Sequence, residues 1–258
     1  MANGQSQRPE EEERLAVSLG LDPHRLPLHI AIIMDGNRRW AEHRGLSAGE
    51  GHRAGAESLR DVVRFCGELG IPFLTVYAFS TENWKRPEDE VQALMHLLVE
   101  YLAREVDELD ANGVRVRAIG RLAELPAAAQ LALAAAEDRT AGNGHLTLTL
   151  ALNYGGRAEL VDAARRLAAD AAAGRLYPQA IDEETLSQCL YAGDIPDPDL
   201  LIRPAGEFRV SNFLLWQIAY AEFWVTPVLW PDFRRQHLTE GLLEYQRRER
   251  RFGGRTKC

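Results

Sequence analysis

The chain has 258 residues, 46% of them hydrophobic and 26% charged, the composition of an ordinary globular enzyme. Its formal net charge of -8 argues against a general nucleic-acid binder, because phosphate backbones demand a basic surface; an anionic ligand has to be met by a local cluster of arginine and lysine. Cys66, Cys189 and Cys258 stand far apart without a CxxC pair, which speaks against a disulfide framework or zinc site and for a reducing cytoplasm.

Residues 1–26, with an acidic run and no apolar signal segment, read as a loosely ordered tail, and Pro23 and Pro27 mark the entry to a single domain over 27–258. No stretch approaches the ~20 apolar residues of a spanning helix, so the chain is expected to be neither secreted nor transmembrane. "LHIAIIM" (28–34) predicts a buried strand. Residues 49–70 predict a helix through Leu59, Val62, Val63 and Cys66, with Gly70 as C-cap, and "PFLTVYAFS" (72–80) the next strand. A helix over 87–110 follows: Pro87 and acids suit its first turn, and Val91, Leu94, Met95, Leu98, Tyr101 and Leu102 share one face. "VRVRAIG" then reads as a strand, the alanine-rich 124–140 as a helix, 145–156 as a strand ending in Gly-Gly, and "RAELVDAARRLAADAAAG" as a helix. After a further helical stretch come strand 199–203 and a closing helix near 236–250.

Strands alternating with helices imply an α/β chain with a mostly parallel sheet covered on both faces. In such sheets ligands sit outside the carboxyl ends of the strands. Three strand ends carry chemistry: Asp35-Gly36-Asn37-Arg38-Arg39-Trp40, "STENWKRP" (80–87) and "PAGEFRVSNFLLWQ" (204–217). Arginine forks and helix N-termini suit phosphate oxygens, so together these segments predict a diphosphate pocket. A carboxylate among cations points to Mg²⁺ sharing its shell with ligand phosphates, with Asp35 the first candidate ligand. Taken singly, Asp35 reads equally well as an Asx-Gly turn residue, Trp40 and Trp84 as packing, and His52 as a satisfied helix residue. There is no GxxxxGK[ST] and no GxGxxG after the first strand, which argues against a Walker loop and a dinucleotide site.

The segments "HIAIIMDGNRRWA", "GHRAGAESLR", "YAFSTENWKRP", "ALNYGGR", "RVSNFLLWQIAYAEFWVTPVLWPDF" and "RRFGG" closely resemble the cis-prenyltransferases, most closely the bacterial undecaprenyl diphosphate synthases. The resemblance runs in order from about residue 28 to 254 and implies a Rossmann-like fold: a mostly parallel six-stranded sheet flanked by helices, with an apolar tunnel. It implies a Mg²⁺-dependent enzyme that condenses isopentenyl diphosphate with an allylic diphosphate, farnesyl diphosphate, in cis steps to a long polyprenyl diphosphate, the lipid carrier for cell-wall glycans. It also implies a homodimer; release of so long an apolar product gives the expectation of peripheral contact at the inner face of the cell membrane, beside the cytoplasmic location read from the cysteines and the lack of a nucleic-acid partner read from the charge.

Carried over residue by residue, the resemblance makes Asp35 the catalytic acid engaging Mg²⁺ and the departing diphosphate. Gly36, Asn37, Arg38 and Arg39 surround the primer phosphates, Trp40 flanks the primer, and His52 completes that site. Ser80, Thr81 and Glu82 line the reaction centre, Asn83 assists proton removal, and Trp84 and Arg86 hold substrate. Arg203, Arg209, Val210 and Ser211 grip isopentenyl diphosphate, Glu222 is a second metal ligand, and "RRFGG" reaches toward the partner subunit's site. Ala78, small and beside the growing chain, implies an open tunnel and a long product. Two departures stand out: Ala48 where the family has arginine, with Arg44 and Arg53 nearby as substitutes, and Pro204, which removes a backbone N–H and a hydroxyl from the isopentenyl site. A short- or medium-chain synthase, a regulatory subunit and a plain phosphate-binding module are the competing readings.

Overall fold

Strand β1 (His29–Ile33) is buried along its whole length, as its unbroken apolar run requires of a parallel strand with both faces covered. The computed structural model describes residues 8–249; the "RRFGG" segment lies outside the described residues. The other strands are β2 (Phe73–Ser80), β3 (Val114–Ile119), β4 (Leu146–Tyr154), β5 (Leu200–Arg203) and β6 (Glu222–Val225), in the order β3-β4-β2-β1-β5-β6 with every neighbouring pair parallel. The six-stranded parallel α/β fold implied by the resemblance is the fold present. β6, four half-exposed residues at the sheet edge, is too short to announce itself by alternation.

Eight α-helices connect and cover the strands among the described residues: α1 (Arg8–Ser18), α2 (Asn37–Glu42), α3 (Ala48–Glu68), α4 (Glu88–Ala111), α5 (Ala127–Thr140), α6 (Gly156–Ala172), α7 (Glu183–Gln188) and α8 (Arg235–Arg247). Successive strand residues face opposite sides. Ile30, Ile32, Leu74 and Val76 therefore join the core built with α3, α4 and α5, while Ala31, Ile33 and Leu201 join Tyr154, Phe213 and Leu214 in the second core. One expectation is corrected at the N-terminus. Residues 8–18, read from sequence as loose tail, form α1: Glu10 and Glu11 suit its first turn, and burial of Ala16 and Leu21 in the main core holds it.

β1 lies where the order reverses, with β2 on one side and β5 on the other. Ile32 is level with Val76 and Ile202, so the three segments singled out by sequence emerge side by side. Gly36, at φ 104°, turns the chain from β1 into α2, a conformation unfavourable to other residues. Gly51 and Gly55 of α3 let Asn37 approach closely: a Cβ at either would collide with the Asn37 carbonyl or side chain. Each glycine costs the helix about 1 kcal/mol relative to alanine. β2 is bulged between Tyr77 and Ser80, which breaks the ladder around Ala78.

Candidate active site

A cavity of about 1130 Å³ opens at the carboxyl ends of β2, β1 and β5. Its mouth is polar, lined by Asp35, Gly36, Asn37, Arg38, Arg39, His52, Ser80, Glu82, Asn83, Arg86, Arg203, Arg209 and Ser211. Its inner part is apolar, lined by Leu59 of α3, Ala78 of β2, Leu94, Met95 and Leu98 of α4, and Leu150 and Leu152 of β4. The α4 stripe read from sequence thus lines a cavity as well as a core. Tyr101 stands between this cavity and a charged cleft lined by Arg60, Glu105 and Glu108.

Arg203 organises the mouth. Its side chain is 6% exposed and donates to Asp35 Oδ2 at 2.8 Å, to Ser211 Oγ at 2.8 Å and to the Arg209 carbonyl. Arg39 donates to Asp35 Oδ1 at 3.3 Å and pairs with Glu207, which also holds Arg209. Arg86 pairs with Glu90 one helical turn on, at 2.8 Å. These pairs set the guanidinium forks before any ligand arrives. Arg203 Nε, Asn37 Oδ1 and His52 Nε2 are buried with no hydrogen-bond partner among the described residues, which marks the mouth as a place built for polar company. Burial, with the Arg86 charge beside it, lowers the His52 pKa to about 4, so the ring is neutral at pH 7.

The loop after β5 bends back on itself through left-handed residues: Ala205 (φ 72°), Ser211 (φ 48°), Asn212 (φ 63°) and Leu214 (φ 46°). Such conformations cost a non-glycine residue on the order of 1 kcal/mol each and persist only where surrounding contacts hold them. Here Phe213 stacks on Tyr77 at 4.5 Å, and buried Glu159 accepts from Gln217 at 3.1 Å and from the Tyr191 N–H at 3.0 Å.

Five expected residues fall outside the cavity lining. Trp40 donates to Asp232 at 2.7 Å and lies under the Arg44 guanidinium, so Arg44 is also engaged away from Ala48; Arg53 borders a side cleft with Ala48 and His52. Trp84 donates to Asn153 at 2.7 Å and meets Phe79 edge-on. Thr81 lies against Gly155, and Val210 packs on the second core. Glu222, expected as a second metal ligand, stands apart from Asp35 within the chain. It is level with Leu200, at the amino end of the sheet, and is paired with Arg248 at 3.0 Å. Sequence reasoning passed over Glu90 and Asn212, both in the lining. The Arg86–Glu90 spacing of four was the signal for the first; Asn212 carried none.

Among the described residues no group of three His, Cys, Asp or Glu could cage a metal. A carboxylate that shares Mg²⁺ with substrate phosphates needs no such cage, and the donor chemistry of Asp35, part-exposed at the mouth, is compatible with that role.

An arginine-rich mouth over an apolar arm in one cavity suits a ligand with an anionic head and an apolar tail. Residues 33–253 match the prenyltransferase family described as "Putative undecaprenyl diphosphate synthase". The chain is 57% identical over 251 residues to an isoprenyl transferase of Heliobacterium mobile, covering 97% of this chain and 96% of the relative. It is 52% identical over 228 residues to a ditrans,polycis-undecaprenyl-diphosphate synthase, (2E,6E)-farnesyl-diphosphate specific, of Xanthomonas axonopodis pv. citri, covering 88% and 89%. Lavandulyl diphosphate synthase from Lavandula x intermedia, solved with dimethylallyl diphosphate, superposes with a TM-score of 0.88 at 41% identity, over 89% of this chain and 99% of that one. The chain belongs to the cis-prenyltransferase family and is a prenyl transferase.

Proposed function

We propose that the protein elongates an allylic primer, farnesyl diphosphate, with successive isopentenyl diphosphate units in cis geometry, giving a long polyprenyl diphosphate of undecaprenyl length that serves as a cell-wall lipid carrier. The observation that carries this reading is the single cavity with five arginines at its mouth and an apolar arm beneath. When the primer's C–O bond breaks, the electron pair leaves with the diphosphate. Arg39, Arg38 and the N–H groups at the start of α2 meet that growing charge, stabilising the transition state more than the ground state. Mg²⁺, held by Asp35 together with diphosphate oxygens, would supply further charge neutralisation. Arg203, Arg209 and Ser211 hold the isopentenyl diphosphate so that its double bond attacks the allylic carbon, and Asn83, its oxygen fixed by the Ser80 N–H at 2.9 Å, orients the unit that loses the proton.

The growing tail leaves water for the apolar arm, at about 0.8 kcal/mol per CH₂, so each five-carbon unit is stabilised by roughly 3–4 kcal/mol. Residues 27–258 act as one catalytic domain in a homodimer. Among the described residues no helix is long and apolar enough to cross a membrane; contact with the bilayer at product release is peripheral. The likeness to lavandulyl diphosphate synthase favours a second reading, a short-chain synthase. Purified protein with farnesyl diphosphate, radiolabelled isopentenyl diphosphate and Mg²⁺ tests both: the product runs at C₅₅ length on reversed-phase chromatography, and Asp35→Ala gives none while keeping its circular dichroism. A C₁₀–C₂₀ product would establish the second reading.

A further inference from the structure

Asn212 lies at the junction of three elements. Its Oδ1 accepts the Arg157 N–H at 2.9 Å and its carbonyl accepts the Gly156 N–H at 2.7 Å, both in the first turn of α6. Its Nδ2 donates to Glu82 Oε1 at 2.9 Å, in the loop that follows β2. One side chain thus ties the loop after β5 to the loop after β2, over a sequence separation of 130 residues. The backbone is left-handed here, at φ 63°, a conformation asparagine tolerates better than most residues. Gly155 has extended backbone at φ -161°, so it is not glycine for the sake of φ. A Cβ there would stand 2.7 Å from Asn212 Nδ2 and 2.8 Å from Thr81 Oγ1, so these side chains would have to shift from the junction. That explains the Gly-Gly after β4 better than a turn does.

We infer that Asn212 is a positioning residue: by bonding Glu82 it fixes the spacing between the Arg209–Ser211 grip and the Ser80–Asn83 segment. The inference rests on the proposed function, in which those two segments hold the incoming unit and the reacting centre. Burial of Glu82 opposes its charge, but hydrogen bonds from Asn212, its own backbone, Ser80 and Thr81 outweigh burial and keep the carboxyl below its ordinary range. The bond is therefore charge-assisted.

The test exchanges donor and acceptor. Asn212→Asp keeps the left-handed tolerance and the bond from Arg157 N–H at a helix N-terminus, so the fold is retained, but it sets a carboxylate against Glu82. In the double variant Asn212→Asp with Glu82→Gln, the introduced amide donates to the introduced carboxylate and the link is remade. Expected for Asn212→Asp is a fall in kcat/KM for isopentenyl diphosphate of about tenfold or more, carried by KM, with KM for the allylic primer changed by less than about twofold; the double variant returns to within about threefold of Glu82→Gln alone. Additive losses in kcat/KM would overturn the inference. So would a rescue confined to the urea midpoint with no rescue of KM, because the bond would then serve stability only. Turnover by the unsubstituted protein tests the proposed function separately, so the two failures are distinguishable.

Discussion

At the residue scale, His29 shows how a parallel sheet accommodates a polar side chain. It is 4% exposed; Nδ1 lies 2.6 Å from the Pro196 carbonyl, which can only accept, so Nδ1 carries the hydrogen and Nε2 accepts from the Thr75 hydroxyl at 2.8 Å. Burial outweighs the Pro196 bond and the Asp199 charge and lowers its pKa to about 4. The unfolded histidine, near 6.5, takes up a proton first as pH falls. Between about pH 6.5 and 4 the unfolded state therefore holds more protons, and stability declines with falling pH. From pH 6.5 to 5 the loss from this residue is about 1–2 kcal/mol in urea unfolding, and His29→Gln lowers the proton uptake on unfolding in that window by about one. Arg203 is the second residue with a sharp expectation. Its fork reaches Asp35, Ser211 and the Arg209 carbonyl at once, and lysine cannot; Arg203→Lys lowers kcat/KM for isopentenyl diphosphate by about 10²-fold in steady-state assays, with far-UV circular dichroism unchanged.

At the element scale, the bulge in β2 and the apolar face of α4 shape the cavity's inner arm. Ala78 lies at the bulge and lines that arm together with Leu94 and Leu98. Under the proposed function a leucine there fills the space a growing chain needs, so Ala78→Leu shortens the product by several isoprene units on reversed-phase chromatography while the first condensation proceeds at near-normal rate; an unchanged length distribution would disprove that role. The close approach of α3 to α2 is equally specific. Gly55→Ala drives a methyl into the Asn37 side chain and displaces the start of α2; KM for the allylic primer rises by about tenfold in initial-rate assays, with KM for isopentenyl diphosphate little changed.

At the scale of the whole molecule, a product that outgrows its cavity has to leave for an apolar phase. Under the proposed function, detergent micelles or lipid vesicles raise the multiple-turnover rate several-fold and leave the single-turnover rate unchanged, a comparison made by rapid quench. Strand order did the assembling here. The chain places β2, β1 and β5 side by side, and segments starting at residues 35, 80 and 204 meet at one mouth.

The sequence alone determined the α/β class, five of the six strands and the three strand-end clusters, because buried parallel strands are unbroken apolar runs and Gly, Pro and Asn mark their ends. It also carried thirteen of the expected residues that line the mouth. Only the tertiary structure decided where the others went. Trp40 and Trp84 found acceptors in Asp232 and Asn153, and parallel register sent Glu222 to the far end of the sheet from Asp35. α1 had to bury Ala16 before its acidic sequence became a fixed helix. Spacing along a chain reports local geometry, whereas a partner 130 residues away, as Glu82 is for Asn212, is chosen by strand order and by which glycines let two loops touch.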